Sequence, residues 1–253
     1  MNYESKKITN LVPEAIKELG AKFFVAGGAI TSTVMGTEVN DVDIYPKDKS
    51  STLKLLRFMN EKSTLISVTD KSVLGNHSGT NINIIYLDIY PTAERIFQAF
   101  DFTIVMAAWD SETETISHHP DYLYDIAKRR IVFNPKTKFP LVSLLRVQKY
   151  EARGFKISRS EFIKIAVEVT KLNISSWKDC DEHIGGMYGE LFEIRFKDKP
   201  FSLDTLYEFM ANEDKTRTIK KDLNLSKRIA DFVDNTKVTI TQTIYKIAKL
   251  NWS

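Results

Sequence analysis

Between Lys22 and Pro46 the chain changes its repeat twice, and glycines mark both changes. Lys22 to Ala26 has strand character, Gly27-Gly28 breaks it, and Ala29 to Met35 resumes at helical spacing until Gly36 stops it. Asp41-Val42-Asp43-Ile44-Tyr45 then alternates polar and apolar side chains up to Pro46, the pattern of a half-buried strand. Strand, glycine turn, helix and strand in so short a span points to a fold that mixes α and β elements. A period of two puts both carboxylates on one strand face.

Two aspartates on one face supply hard oxygen ligands for Mg2+ and can reach the same one or two ions. Such ions bridge a triphosphate, neutralise charge on leaving pyrophosphate and lower the pKa of an attacking hydroxyl. The glycine pair permits close backbone approach to phosphate, and the N-terminus of the following helix adds amide donors. An isolated Asp-x-Asp is more often a solvated face; its place after strand, Gly-Gly and helix is what directs it toward phosphoryl chemistry.

Three stretches carry a resemblance. Gly27-Gly28-Ala29-Ile30, Gly36 and Asn40-Asp41-Val42-Asp43 resemble the signature of the DNA polymerase beta-like nucleotidyltransferase superfamily, in the branch of bacterial poly(A) polymerases and tRNA CCA-adding enzymes. Asp101-Phe102-Thr103-Ile104, followed by Ala107 and Asp110, is similar to that branch's Arg-Arg-Asp-Phe-Thr-Ile-Asn-Ala element. Phe139-Pro140-Leu141, Leu145-Arg146 and Ala152-Arg153-Gly154-Phe155 resemble its Asp-Pro-Leu-Arg-Ile-Leu-Arg and Ala-Arg-x-Gly-Phe stretches. The likeness covers roughly residues 23 to 155. It implies a mixed sheet flanked by helices and a metal-dependent transfer of a nucleoside monophosphate from an NTP to an acceptor hydroxyl, an RNA 3′ end, tRNA included, being the first acceptor. Asp41 and Asp43 are the implied ligands of two Mg2+ ions, and Asp101, ahead of Asp88, the implied third catalytic carboxylate. Gly27, Gly28, Thr31, Asp101, Arg146 and Arg153 are the implied nucleotide contacts.

The chain also departs from that pattern. Thr31-Ser32 stands where the family has Arg-Asp, Ala99-Phe100 replaces the arginine pair, Val105 replaces an asparagine, and no Glu-Asp-x-x-Arg base-selecting element is recognisable. Two alternatives therefore stay open: a toxin-like or antibiotic-modifying nucleotidyltransferase acting on a protein or small molecule, and a catalytically silent adaptor that binds nucleotide or RNA.

The remaining chain divides at Asn134 to Pro140, which separates a head at 1–135 from a mainly helical part at 136–253 that could bind the acceptor. An early helix is expected around Leu11, Ile16 and Leu19, a helix over 51–60, strands at Thr64 to Val68 and Ile82 to Ile89, a helix at Thr92 to Ala99 and a strand at Asp101 to Ala108, whose alanines leave a helix open. Helical windows follow at 141–153, 159–172 and 203–211, the second opening on a capping box, Ser158 to Glu161. Residues 1–135 hold 14 Lys and Arg against 17 Asp and Glu, and the rest hold 22 against 16, so a polyanion suits the second half better. The cluster Lys215, Arg217, Lys220, Lys221, Lys227 and Arg228, with Phe232 nearby, is where it would bind. Lys128-Arg129-Arg130 reads as a solvated turn, His118-His119 as a polar loop, Ser32 and His77 lack the partners of a nucleophile and base, and Gly185 to Gly189 lacks the Lys-Ser/Thr of a phosphate loop. A single cysteine, Cys180, excludes an internal disulfide. No apolar run approaches the roughly 20 residues of a membrane helix, and the polar Met1 to Asn10 does not read as a secretory signal, which makes cytoplasmic residence the default.

Overall fold

A computed structural model describes residues 3–69, 71–184 and 192–219. The chain opens with α1 (Tyr3–Thr9) and α2 (Glu14–Lys17), then β1 (Phe23–Ala26), α3 (Gly28–Met35), β2 (Val42–Pro46) and α4 (Lys49–Lys62). Next come β3 (Thr64–Val68), β4 (Ser72–His77), β5 (Thr80–Ile85), α5 (Ala93–Ala99), a 3-10 turn at Thr103–Val105, β6 (Ala107–Asp110) and β7 (Ile116–His118). After α6 (Tyr122–Ala127) and β8 (Arg130–Ile131) the chain is mainly helical: α7 (Pro140–Glu151), β9 (Lys156–Ile157), α8 (Arg159–Thr170), α9 (Trp177–Ile184), α10 (Phe192–Arg195) and α11 (Leu203–Ile219).

Seven strands form one mixed sheet in the order β3-β4-β5-β2-β1-β6-β7. Every pairing in it is antiparallel except β2 with β5, where Val42, Asp43 and Ile44 lie opposite Ile82, Asn83 and Ile84. Alternation along β1 and β2 sorts their side chains between two cores. Phe23, Val25, Val42 and Ile44 enter the larger one with α1, α3 and α4, whereas Phe24, Ala26 and Tyr45 pack with Tyr90 and the buried face of α5. Asp43 and Asp41 continue the Tyr45 side of β2, with Asp43 half-buried and Asp41 exposed.

Helices α7 and α8 contribute Val147, Tyr150 and Ile165 to the larger core, while Trp177, Cys180, Ile184, Phe192, Phe196, Leu206 and Phe209 form a separate cluster. The expected early helix divides in two because Pro13 has no N–H to give and holds an extended ψ of 141°, so Thr9 ends one segment and Glu14 starts the next. The expected strand at Asp101 to Ala108 begins only at Ala107; the Thr103 N–H is spent on the Val132 carbonyl, and the backbone coils through Thr103–Val105. Strand β4 is absent from the expected elements. It contains Gly75, where a Cβ would stand 2.8 Å from Met59 Cε and 3.0 Å from the Thr64 carbonyl, so close packing against α4 and β3 requires a residue of low strand propensity. The capping box is half realised: Ser158 Oγ accepts the Glu161 N–H, but the Glu161 carboxylate accepts from the Phe133 N–H and so ties α8 to the sheet side.

Candidate active site

The site gathers where the end of β1, the start of β2 and the centre of β5 meet. Gly27 ends β1 with φ 82° and ψ −136°, a conformation that glycine adopts at low cost, and serves as N-cap of α3 without any side-chain cap bond. A Cβ there would lie 3.4 Å from Phe100 Cζ and 3.7 Å from Asp43 Oδ2, so the turn brings bare backbone beside the carboxylate. Gly28 differs: a Cβ at that position would meet nothing within 4 Å, which leaves open space at the helix start. Uncapped amides and positive dipole end favour an anion there.

Asp43 Oδ1 accepts a hydrogen bond from Asn83 Nδ2 at 2.9 Å, as the parallel β2–β5 register dictates. Burial pushes the Asp43 carboxyl up from 3.8 to about 6, and the negative charge of Asp41 adds to the rise; the Asn83 bond and the positive charges of Arg146 and Lys149 oppose it. That Asp41 acts on Asp43 agrees with both projecting from one face. Asn83 Oδ1 is buried and has no hydrogen-bond partner. An orphaned buried carbonyl costs about 1–3 kcal/mol, so the amide is held ready for a donor or cation supplied from outside.

Helix α7 brings positive charge to Asp43. Arg146 Nη1 donates to Asp101 Oδ2 at 3.1 Å, and both Arg146 and the exposed Lys149 act on Asp43. Asp101 is 3% exposed, its carbonyl accepts from the Asn134 N–H, and its Oδ1 has no partner. The Arg146 charge, raised in pKa chiefly by Asp101, thus spans from that carboxylate toward Asp43. Arg153 stacks over the Tyr150 ring at 6.0 Å, just past the end of α7.

The structure therefore brings Asp41, Asp43, Gly27, Gly28 and Arg146 together. Thr31 packs inside instead: it is 2% exposed and its hydroxyl donates to the Ile104 carbonyl at 2.7 Å. No three His, Cys, Asp or Glu side chains gather within reach of one ion among the described residues, so Asp101 does not join Asp41 and Asp43 in a ligand trio. Asp88 lies apart, paired with Arg95 at 2.8 Å. Asn83 and Lys149 are the residues that sequence reasoning missed. Their only signals are the alternation Asn81-Ile82-Asn83-Ile84 beside a carboxylate strand and the three-residue step from Arg146. The donor set, two carboxylates beside an unpartnered amide oxygen, is all oxygen and suits Mg2+ or Mn2+.

The other candidates resolve into structure. Arg130 pairs with the buried Asp125, Arg129 lies over the Phe155 ring, His118 stacks on Tyr122, and the His119 ring accepts the Asp121 N–H. Ser32 is buried in α3, and His77 bonds the Lys62 carbonyl. The side chains of Lys215, Arg217, Lys220, Lys221, Lys227, Arg228 and Phe232, and the segment Gly185 to Gly189, lie outside the described residues. No described helix is long and apolar enough to cross a membrane.

Residues 2–129 match the profile of the Gabija anti-defense 2 family. A curated relative, Gabija anti-defense 2 of Bacillus phage SPbetaL7, is 39% identical over 210 residues, covering 79% of this chain and 52% of its own length. The chain thus spans about half of that relative. Among solved structures, a tRNA-processing enzyme in its apo form I aligns over 98% of this chain and 78% of its own, with TM-score 0.51 and 15% identity. The Thermotoga maritima CCA-adding enzyme complexed with tRNA covers 88% of this chain and 57% of its own, with TM-score 0.48 and 15% identity. At 15% identity and TM-score 0.51 the likeness to the former is one of fold.

Proposed function

The chain belongs to the Gabija anti-defense 2 family, and we propose that it acts as a divalent-cation-dependent nucleotidyltransferase, moving a nucleoside monophosphate from an NTP to an acceptor hydroxyl. One observation carries the proposal. Asp43, desolvated and half-buried, stands with Asp41 beside the bare backbone of Gly27 and opposite the positive charges of Arg146 and Lys149. Arg146 and Lys149 offset that burial only in part, and a desolvated carboxylate is settled further by a proton or by a cation that joins it.

In this reading the open helix start at Gly28 and the α7 charges hold the triphosphate, and Asp41 and Asp43 hold the Mg2+ that would bridge it. When bound, Mg2+ supplies Lewis-acid polarisation and a lowered pKa for the attacking hydroxyl. The acceptor oxygen bonds to the α-phosphorus, the bond to pyrophosphate breaks, and the hydroxyl proton leaves to solvent. Arg146, anchored on Asp101, keeps its guanidinium placed for the charge that develops on the phosphate oxygens.

An RNA 3′ end is the first acceptor. A second reading, transfer onto a component of the defence that the family counters, is favoured by the family match itself. Incubation with each α-labelled NTP, Mg2+, total RNA and extract of a defence-bearing host separates them. Label on RNA that disappears in both Asp41→Asn and Asp43→Asn supports the first acceptor; label on a protein supports the second. Nucleotide that binds but is never converted refutes transfer and leaves an adaptor.

A further inference from the structure

We propose that the Asn83 side-chain oxygen is a third, uncharged ligand of the cation site, so that the site in the free protein is weak and becomes firm only when a nucleoside triphosphate brings its own charge. The proposal rests on the nucleotidyltransferase reading of Asp41 and Asp43 and deepens it.

Three facts about β5 carry it. Asn83 is fixed opposite Asp43 by the parallel register, which places the two side chains on one face of the sheet. Its Nδ2 is committed to Asp43 Oδ1 at 2.9 Å, so Oδ1 is the atom of the amide left to accept. That Oδ1 is buried with no hydrogen-bond partner. A residue serving only to brace Asp43 needs the donor and gains nothing from a desolvated, unanswered carbonyl on the same amide. An amide oxygen is a hard donor, and Asn carbonyls take their place among Mg2+ and Ca2+ ligands.

Charge gives the consequence. No third acidic side chain joins Asp41 and Asp43 among the described residues. Two negative charges balance one divalent cation, and an amide adds an oxygen without adding charge. Mg2+ dehydrates reluctantly and is characteristically held by one or two carboxylates together with substrate phosphates. With Arg146 and Lys149 facing Asp43, the free site has even less net attraction for a second positive ion. The triphosphate reverses that balance. Cation and nucleotide therefore bind with strong mutual enhancement, and enhancement is reciprocal.

The test measures Mn2+ affinity by electron paramagnetic resonance and calorimetry, with and without a non-hydrolysable NTP analogue, in the full chain and in Asn83→Leu and Asn83→Asp. Circular dichroism confirms folding of each. Wild type is expected to bind Mn2+ at least 10-fold more tightly with the analogue. Asn83→Leu should weaken binding about 10- to 100-fold, the range for lost ligand support, and Asn83→Asp should tighten nucleotide-free binding at least 10-fold and shrink the enhancement. Equal affinities in all three chains overturn the ligand role. Weakening in both variants shows that Asn83 works only by donating to Asp43, and also overturns it. A wild type that binds neither Mn2+ nor analogue refutes the nucleotidyltransferase reading itself, an outcome distinct from both. Should Asn83→Leu fail to fold, the near-isosteric Asn83→Asp decides alone.

Discussion

Replacing Asp43 by asparagine should stabilise the fold, by an amount that grows with pH. The carboxyl rises from 3.8 to about 6 on folding, mainly because burial disfavours its charged form. A carboxyl with a raised folded pKa binds protons more tightly in the native state than in the unfolded one. Between pH 4 and 6 native stability therefore falls as pH rises, and above 6 the full penalty is present. At about 1.4 kcal/mol for each tenfold change in proton affinity, the ceiling is near 3 kcal/mol, and partial screening of a half-buried group brings the expected value to about 1–3 kcal/mol. The amide that Asp43→Asn introduces keeps an oxygen to accept the Asn83 Nδ2 bond, so the substitution removes charge with little change of shape. For a chain of this size the gain corresponds to about 2–10 °C in melting temperature. The assay is thermal or urea unfolding of both proteins in EDTA across pH 4 to 8. A gap that opens between pH 4 and 6 and is flat above supports the reasoning; a mutant less stable at pH 7.5, or a gap independent of pH, refutes it.

Arg146→Ala should cost about 2–4 kcal/mol, because it removes the ion-pair partner of the 3% exposed Asp101; urea unfolding should show much of the loss restored in the Arg146→Ala/Asp101→Asn double variant. Gly27→Ala should destabilise by about 1–2 kcal/mol or more, from the φ of 82° and the 3.4 Å approach to Phe100. Gly28→Ala, with nothing in the way, should leave the melting temperature unchanged or higher, yet lower affinity for an NTP analogue in a fluorescence titration. Gly75→Ala should cost about 1–3 kcal/mol through its clash with Met59 and the Thr64 carbonyl, and Gly75→Ala/Met59→Ala should not recover the backbone part.

The central strand-turn-helix-strand unit was legible because each change of repeat falls at a residue suited to it: Gly27 and Gly36 at positive φ, which few other residues adopt at low cost, and Pro46 as a strand end. Helices α4, α5, α7 and α8 were legible from spacing and caps, such as Asp48 and Ser158 accepting amides three residues on. Strand β4 was not, since its reason for existing lies in Met59 and Thr64, outside its own sequence. The site divides the same way. Local alternation announces Asp41 and Asp43, but only the β2–β5 register brings Asn83 to Asp43, and only packing of α7 brings the charges of Arg146 and Lys149 to bear on it. Thr31 shows the converse: it lies within the motif stretch, and the turn of α3 points it inward, where its hydroxyl donates a hydrogen bond to the Ile104 carbonyl.

Three desolvated carboxylates, Asp43 on β2, Asp101 before the 3-10 turn and Asp125 on α6, separate structure from function. Asp125, fully buried, receives the Thr103 hydroxyl and the Arg130 guanidinium through Nε and Nη2. Asp101, nearly as buried, receives Arg146. Each has its counter-charge within the chain, so each is an internal brace whose loss should register in stability whatever is in solution. Asp43 alone is bonded to a neutral partner, lies beside a second negative group and keeps a raised proton affinity. Arg146 and Lys149 offset its burial only in part, so a further positive charge would come from outside. Adding Mn2+ with an NTP analogue should then stabilise wild type by RT ln(1 + [L]/Kd), about 2.7 kcal/mol at a hundredfold excess over Kd, read as a higher melting temperature. The same addition should leave Asp43→Asn unmoved. Asp125→Asn, though less stable, should still respond in full, because its missing charge never belonged to the cation. If Asp43→Asn gains as much from cation and analogue as wild type does, the cation sits elsewhere and the case for Asp43 as its ligand collapses.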